Sequence, residues 1–185
     1  MKTNLRKDAV RSRRAILEAA RELYRDDAEA SFAEIAHEAG VGQATVYRHF
    51  ADRRALLMAL ADEDMGSLEQ RLDAEEIGPG SLEELLVEMV AGQLRSQGLI
   101  AAIRAGEVDE SEVERLTERV RALMAPRLEA ARAAGLVRPD LTPEDALIVL
   151  AMVDGAVAPL RDRAAREQAS ARAFEIALDG LRMRA

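Results

Sequence analysis

Apolar residues recur every three or four positions along almost the whole chain, the period of an amphipathic helix. In residues 10–25, Ile16, Ala20, Leu23 and Tyr24 share one face, with Leu17 beside them. Residues 1–9 read as a loose basic arm ahead of that helix. "SFAE" sets Ser31 three residues before Glu34, the pattern of a capping box, and predicts a second helix over 32–39 that buries Ile35 and Ala36 and stops at Gly40. A third helix follows at 43–50. Asp52 suits the cap of a fourth, which starts at Arg53 and carries Leu56, Leu57, Leu60, Ala61, Met65, Leu68 and Leu72 on its apolar face.

"EEIGPGS" (75–81) is the clearest interruption. Beyond it the pattern predicts helices over 82–97, 99–104 and 110–134. The last of these has Val113, Leu116, Val120, Leu123, Met124 and Leu128 on a stripe and Pro126 as a source of bending. In "GLVRPDLTPED", Thr142 is placed to cap a helix whose first residue is Pro143. "ALIVLAMVDGAVAPL" is apolar nearly all round, and a final helix covers 164–181. No stretch alternates as a strand does. The expectation is an all-α protein: a three-helix head with a helix-turn-helix over residues 1–60, joined to a larger helical body over 61–185.

Composition narrows the function. The 185 residues include no cysteine and two histidines, which leaves no thiol chemistry and no histidine-rich metal site. Glu34–His37 is the single Glu-x-x-His pair, so a di-iron bundle, which needs two, is excluded. No catalytic set, metal site or cofactor motif is present, and an enzyme is not expected. No apolar run is long enough to cross a bilayer, and the first residues lack the apolar core of a secretory signal; a cytoplasmic protein without membrane contact is expected. The net charge of −8 is unevenly spread, at +2 over residues 1–60 and −10 over 61–185. An acidic body repels nucleic acid while a basic end can still touch it.

The third helix is short, and its outward residues are unusual. Val46 and Phe50 lie four apart, on the side that packs against the first two helices. Gln43, Ala44, Tyr47 and Arg48 lie on the other side, and Thr45 and His49 share a flank. Gln can pair with the N6/N7 edge of adenine and Arg with O6/N7 of guanine in the major groove. Thr45, Tyr47 and His49 can donate to phosphate oxygens, which sets register without reading sequence. Arg53 can grip the flanking backbone, and Lys2, Arg6 and Lys7 of the arm can add phosphate or minor-groove contacts. Tyr47 has a second reading, as an aromatic packed on the first helix; His49 and Arg48 as solvated surface residues; Thr45 as a plain cap.

"SFAEIAHEAGVGQATVYRHFADRRALL" (31–57), preceded by "RRAILEAARELY" (13–24), resembles the DNA-binding segment of the TetR family of bacterial transcriptional regulators. The likeness covers about residues 11–60; beyond that it rests on helix layout and on the "GLVRPDLTPEDAL" connector. The resemblance implies an all-helical homodimer whose body binds a small effector and dimerises through its last two long helices, most members being repressors released from DNA by that effector. It places Gln43, Ala44 and Arg48 at base-facing positions, Thr45, Tyr47 and His49 at phosphate-facing ones, and Arg53 where a lysine commonly anchors the fourth helix to the DNA backbone. Ala44 stands where many members have glycine, and its methyl can touch that of thymine.

For the body, the apolar run 146–160 is either a dimer seam or ordinary core. As a seam, the small residues Ala151, Gly155 and Ala158 let a neighbouring helix approach, joined by Phe174, Leu178 and Leu181 of the last helix. Asp154 inside this run can bond across the seam, face a pocket or lie at a wet edge. Met89, Leu94, Ile103, Leu116, Val120, Leu123, Met124 and Met152 are candidates to line an effector pocket, and their character fits a mainly apolar ligand. The partners expected are double-stranded DNA with a pseudo-palindromic operator, a second copy of the chain and that effector. The alternatives are a DNA-binding regulator without an effector and a helical adaptor that uses its helix-turn-helix on proteins.

Overall fold

The computed structural model describes residues 2–26 and 30–182; of residues 2–6, 25 and 26 only the helical backbone is described. The described residues form nine α-helices: α1 (Lys2–Asp26), α2 (Phe32–Glu38), α3 (Gln43–His49), α4 (Arg53–Asp73), α5 (Ser81–Arg95), α6 (Gln97–Arg104), α7 (Glu110–Ala133), α8 (Pro143–Val157) and α9 (Arg163–Leu181). Among the described residues, no helix is long and apolar enough to cross a membrane.

The chain condenses into two compact units that do not follow a single cut. One contains residues 1–68 together with 95–108; the other contains 69–94 and 109–185. A boundary at residue 60 therefore falls inside α4, and α6, expected in the body, joins the head. The apolar residues of α6 explain this: Leu99 and Ala102 are buried, and α6 packs on α1.

In the first unit, Ile16, Leu17, Ala20 and Tyr24 of α1 meet Phe32 and Ile35 of α2, Val46 of α3, and Leu56, Leu57 and Leu60 of α4, all buried. The loose arm expected at residues 1–9 is instead the start of α1. No glycine or proline precedes Gly40, so nothing interrupts the helix on its amino side, and an Arg11–Asp8 pair (3.3 Å) braces the exposed surface. Ion pairs tie α1 to α4, among them Arg13–Glu63 (3.2 Å), Arg21–Asp64 (2.7 Å) and Arg21–Glu63 (3.6 Å).

Short helices need good ends, and α2 has both. The Glu34 N–H donates to the Ser31 hydroxyl (3.3 Å) and the Ser31 N–H donates to the Glu34 carboxylate (2.8 Å), completing the capping box. At the other end Gly40 takes φ +62°, so that its own N–H reaches the His37 carbonyl and the Val41 N–H that of Ala36. This is a Schellman turn, which an L side chain would strain. Asp52 caps α4 by accepting from the Ala55 N–H (2.7 Å).

The second unit buries Leu82, Leu85, Leu86 and Val90 of α5, Val120, Met124 and Leu128 of α7, Val149, Leu150, Val153 and Val157 of α8, and Ala177, Leu178 and Leu181 of α9. Thr142 and Asp145 cap α8 reciprocally, with Pro143 in its first turn. An isolated antiparallel bridge between Val137 and Arg182 fastens the end of α9 to the segment after α7.

The α2 cap makes a direct stability prediction. Ser31→Ala removes the hydroxyl that accepts from the Glu34 N–H, and chemical unfolding should show a loss of about 1 kcal/mol. An unchanged unfolding midpoint would contradict the role given to this cap.

Candidate nucleic-acid interface

Helix α3 is held by its inner side. Val46 is fully buried and Phe50, just past the helix, is 3% exposed. The Schellman turn at Gly40 delivers the chain to Gly42, the N-cap of α3, which makes no side-chain cap bond; Thr45 is thus not the cap. The opposite side faces water. Gln43, Ala44, Tyr47 and Arg48 are all exposed, as the helical wheel requires, and Thr45 and His49 are half-buried on the flank.

Tyr47 is 54% exposed, yet its ring lies 5.0 Å from that of Phe32, tilted by 56°. It therefore packs on α2 rather than on α1, and the packing fixes a ring that still reaches solvent. Arg48 has no carboxylate partner among the described residues and is available to a ligand.

His49 and Arg53 are placed differently from the expectation. The Nε2 of His49 is buried without a hydrogen-bond partner among the described residues, and its ring lies 6.3 Å from Phe50. Burial, followed by the charges of Arg48 and Arg13, holds its pKa below the usual 6.5. With Nε2 covered, a phosphate contact from His49 would have to come from Nδ1. The Arg53 guanidinium lies over the Tyr24 ring at 5.6 Å and 3.6 Å from the Glu107 carboxylate, and its side chain is only 27% exposed. It is engaged inside its own unit rather than extended into solvent. Of the basic arm, Lys7 is exposed, while the side chains of Lys2 and Arg6 lie outside the described residues.

Two residues of this region escape the sequence pattern. Phe32 supports Tyr47, and Arg13 spans Phe50 (5.4 Å) and Glu63. Neither has a local signal, because each role depends on which helices come together.

The geometry is accompanied by sequence matches over most of the chain. Residues 16–60 match the family model "Bacterial regulatory proteins, tetR family". Residues 79–183, more than half of the chain, match "Transcriptional regulator SbtR-like, C-terminal domain". The chain belongs to the TetR family of transcriptional regulators. It is similar to the HTH-type transcriptional repressor LfrR of Mycolicibacterium smegmatis, with 36% identity over 84 residues; that match spans 45% of this chain and 44% of the repressor, less than half of either. In three dimensions this TetR-family chain resembles a TetR regulatory protein from Mycobacterium vanbaalenii (TM-score 0.66, 29% identity, 97% of this chain and 99% of the other). It also resembles a TetR regulator from Streptomyces coelicolor (TM-score 0.62, 28% identity, 94% and 99%).

In the second unit of this TetR-family regulator, the seam candidates divide. Ala151, Gly155 and Ala158 are exposed along α8, beside Ile148 and Met152, each 55% exposed. Phe174 is half-buried, but Leu178 and Leu181 are buried in the unit's own core, where α9 packs on α8. Met152 thus stands with the exposed face and lines no interior space. Of the other pocket candidates, Met124 and Val120 are buried core, Met89, Leu94, Leu116 and Leu123 are half-buried, and Ile103 belongs to the first unit.

The second unit does contain a cavity of about 320 Å³, lined by Leu82, Leu86, Ala131, Val137, Leu178 and Leu181 among others, with the Glu83–Arg182 pair (3.5 Å) at its edge. None of the eight pocket candidates lines it. Arg127, 4% exposed, donates to the Leu123 carbonyl (2.8 Å) in the interior. Its place was legible in the spacing, since Val113, Val120 and Arg127 are seven apart on the core stripe. Asp154 is 9% exposed, which excludes the wet edge.

The lowered His49 pKa has a measurable sign. The folded chain binds fewer protons at this ring than the unfolded chain does. Its contribution to stability is therefore full above pH 6.5 and is lost as pH falls through the lowered folded value. An NMR titration should give His49 a midpoint below 6.5; a midpoint at or above 6.5 would contradict the burial of this ring.

Proposed function

We propose that this regulator is a sequence-specific DNA-binding repressor acting in the cytoplasm as a homodimer, and that a small, mainly apolar effector relieves its binding to a pseudo-palindromic operator. The observation that carries the reading is α3. This seven-residue helix is pinned by Val46 and Phe50 and turns Gln43, Ala44, Tyr47 and Arg48 to solvent. A helix of this size fits the major groove, where Gln43 and Arg48 reach base edges, Ala44 lies close to a thymine methyl, and Tyr47 and Thr45 meet phosphates.

Dimerisation is supported by the exposed apolar strip on α8, Ile148, Ala151, Met152 and Gly155, with Ile176 of α9 also 55% exposed. Apolar side chains exposed on two helices of one unit call for a partner surface, and a two-fold pairing of such helices makes a four-helix bundle. Each dimer would then present two copies of α3 to successive major-groove faces. The effector reading is supported by the 320 Å³ cavity, whose size and leucine lining suit a small apolar molecule. An effector of this kind acts only through its different affinity for the DNA-competent and DNA-incompetent arrangements.

Selection of bound duplexes from a random pool tests the reading. Gln43→Ala and Arg48→Ala should each change the selected motif, and each bidentate base pairing that is removed should cost about 1–3 kcal/mol. Tyr47→Phe keeps the ring on Phe32 and removes the hydroxyl; it should weaken all sequences alike and, because the hydroxyl carries no charge, leave the slope against salt unchanged. A motif unchanged by both Gln43→Ala and Arg48→Ala would overturn the assignment of α3 as the reading helix.

A further inference from the structure

We infer that Glu107 is a positioning residue that holds Arg53 back from DNA, competing with a backbone phosphate for the same guanidinium. The inference rests on the reading of α3 and the start of α4 as the DNA interface, and it assigns to the loop after α6 a role in setting the affinity of that interface.

The first turn of α4 begins with two cations, Arg53 and Arg54, and contains no acid. Positive charge at a helix amino terminus opposes the helix dipole, and here two cations face the single capping carboxylate of Asp52. Such a departure is expected where an outside anion supplies the compensation. In the free protein the Glu107 carboxylate, 3.6 Å from Arg53, is one such anion. On DNA a phosphate would be another, because α4 starts four residues after the end of α3 and any backbone flanking the groove passes close to it.

Glu107 is firmly presented. Gly106 ends α6 with φ +72°, its N–H donating to the Ile103 carbonyl (3.0 Å) while the Glu107 N–H donates to that of Ala102 (2.9 Å). This Schellman turn fixes the backbone of Glu107 relative to α6. The next residue, Val108, is buried, and so are Leu99 and Ala102 on α6, which packs on α1. The Glu107 backbone is therefore carried by α6 as part of the first unit, while the Arg53 side chain is steadied by the Tyr24 ring.

The pair is built to exchange. Glu107 is 57% exposed and Arg53 27% exposed, so separating them strands neither charge in a dry interior. A partly exposed pair of this kind changes an equilibrium by no more than about fivefold. A phosphate can win that competition, yet the loss of the carboxylate partner remains measurable. Moving α6 relative to α4 alters the strength of the pair and hence the cost of releasing Arg53 to DNA.

The test is a double-mutant cycle on the full-length protein. Binding is read with a labelled duplex recovered by the selection above and with an unselected random duplex pool, each over a series of salt concentrations. Glu107→Gln should tighten binding to both by about two- to fivefold, leaving the slope against salt unchanged. Arg53→Gln should weaken binding and reduce that slope by about 0.9. In the Arg53→Gln background, Glu107→Gln should have no effect. Arg53→Lys, which keeps the cation without the planar stack on Tyr24, should retain the slope and so separates loss of charge from loss of packing.

Equal tightening with and without Arg53 would mean that Glu107 acts only as general negative charge and would overturn the inference. Unchanged affinity on Glu107→Gln, in a protein that binds the duplex, would overturn it while leaving the DNA-binding reading intact. Failure of the unmodified protein to bind any duplex would remove that reading and this inference together.

Discussion

The interface depends on the seating of α3 by Val46 and Phe50. A seven-residue helix has too few internal hydrogen bonds to persist alone in water, and this one lacks a side-chain cap. Its order comes from two apolar side chains sunk into a core built by α1, α2 and α4. Of the residues turned outward, Gln43, Ala44 and Arg48 stand clear of that core, while Tyr47 also packs on Phe32. The anchoring side of α3 is thus separate from its solvent side, the side proposed to read DNA.

Charge is organised around the same helix. The chain carries −8 overall, and much of the cationic charge in the first unit is tied internally, Arg13 and Arg21 to α4 and Arg53 to Glu107. Arg48 is the contrast, with no carboxylate partner among the described residues. Tying cations to the protein's own carboxylates limits non-specific attraction to DNA and leaves binding more dependent on the fit of a few contacts.

Much of the helix layout was legible in the sequence because its signals are local. The Ser31–Glu34 and Thr142–Asp145 caps, Gly40, Asp52 and the break at "EEIGPGS" act within a few residues, and the observed helix ends fall close to them. The inward side of α3 followed from the four-residue spacing of Val46 and Phe50. What local pattern does not carry is which helix covers which. Periodicity marks Leu178, Leu181 and Met152 as apolar positions, but only packing decides that the two leucines enter their unit's own core while the methionine faces out. The same limit hides the partnership of Arg53 with Glu107 and of Tyr47 with Phe32, since each pair joins separate helices or loops. The start of α1 departs from its local signal for another reason. Basic residues suggest a solvated arm, although with no glycine or proline to stop it the helix runs back to Lys2.

The proposed interface puts the outer side of α3 in a major groove while Val46 and Phe50 stay buried. A crystal structure of the protein on its selected duplex tests this most directly. Gln43 and Arg48 should lie within hydrogen-bonding distance of base edges, the Tyr47 hydroxyl on a phosphate, and a second copy of α3 one helical turn along the DNA. A complex in which α3 lies outside the groove, or in which DNA is held by another surface of the chain, would contradict it.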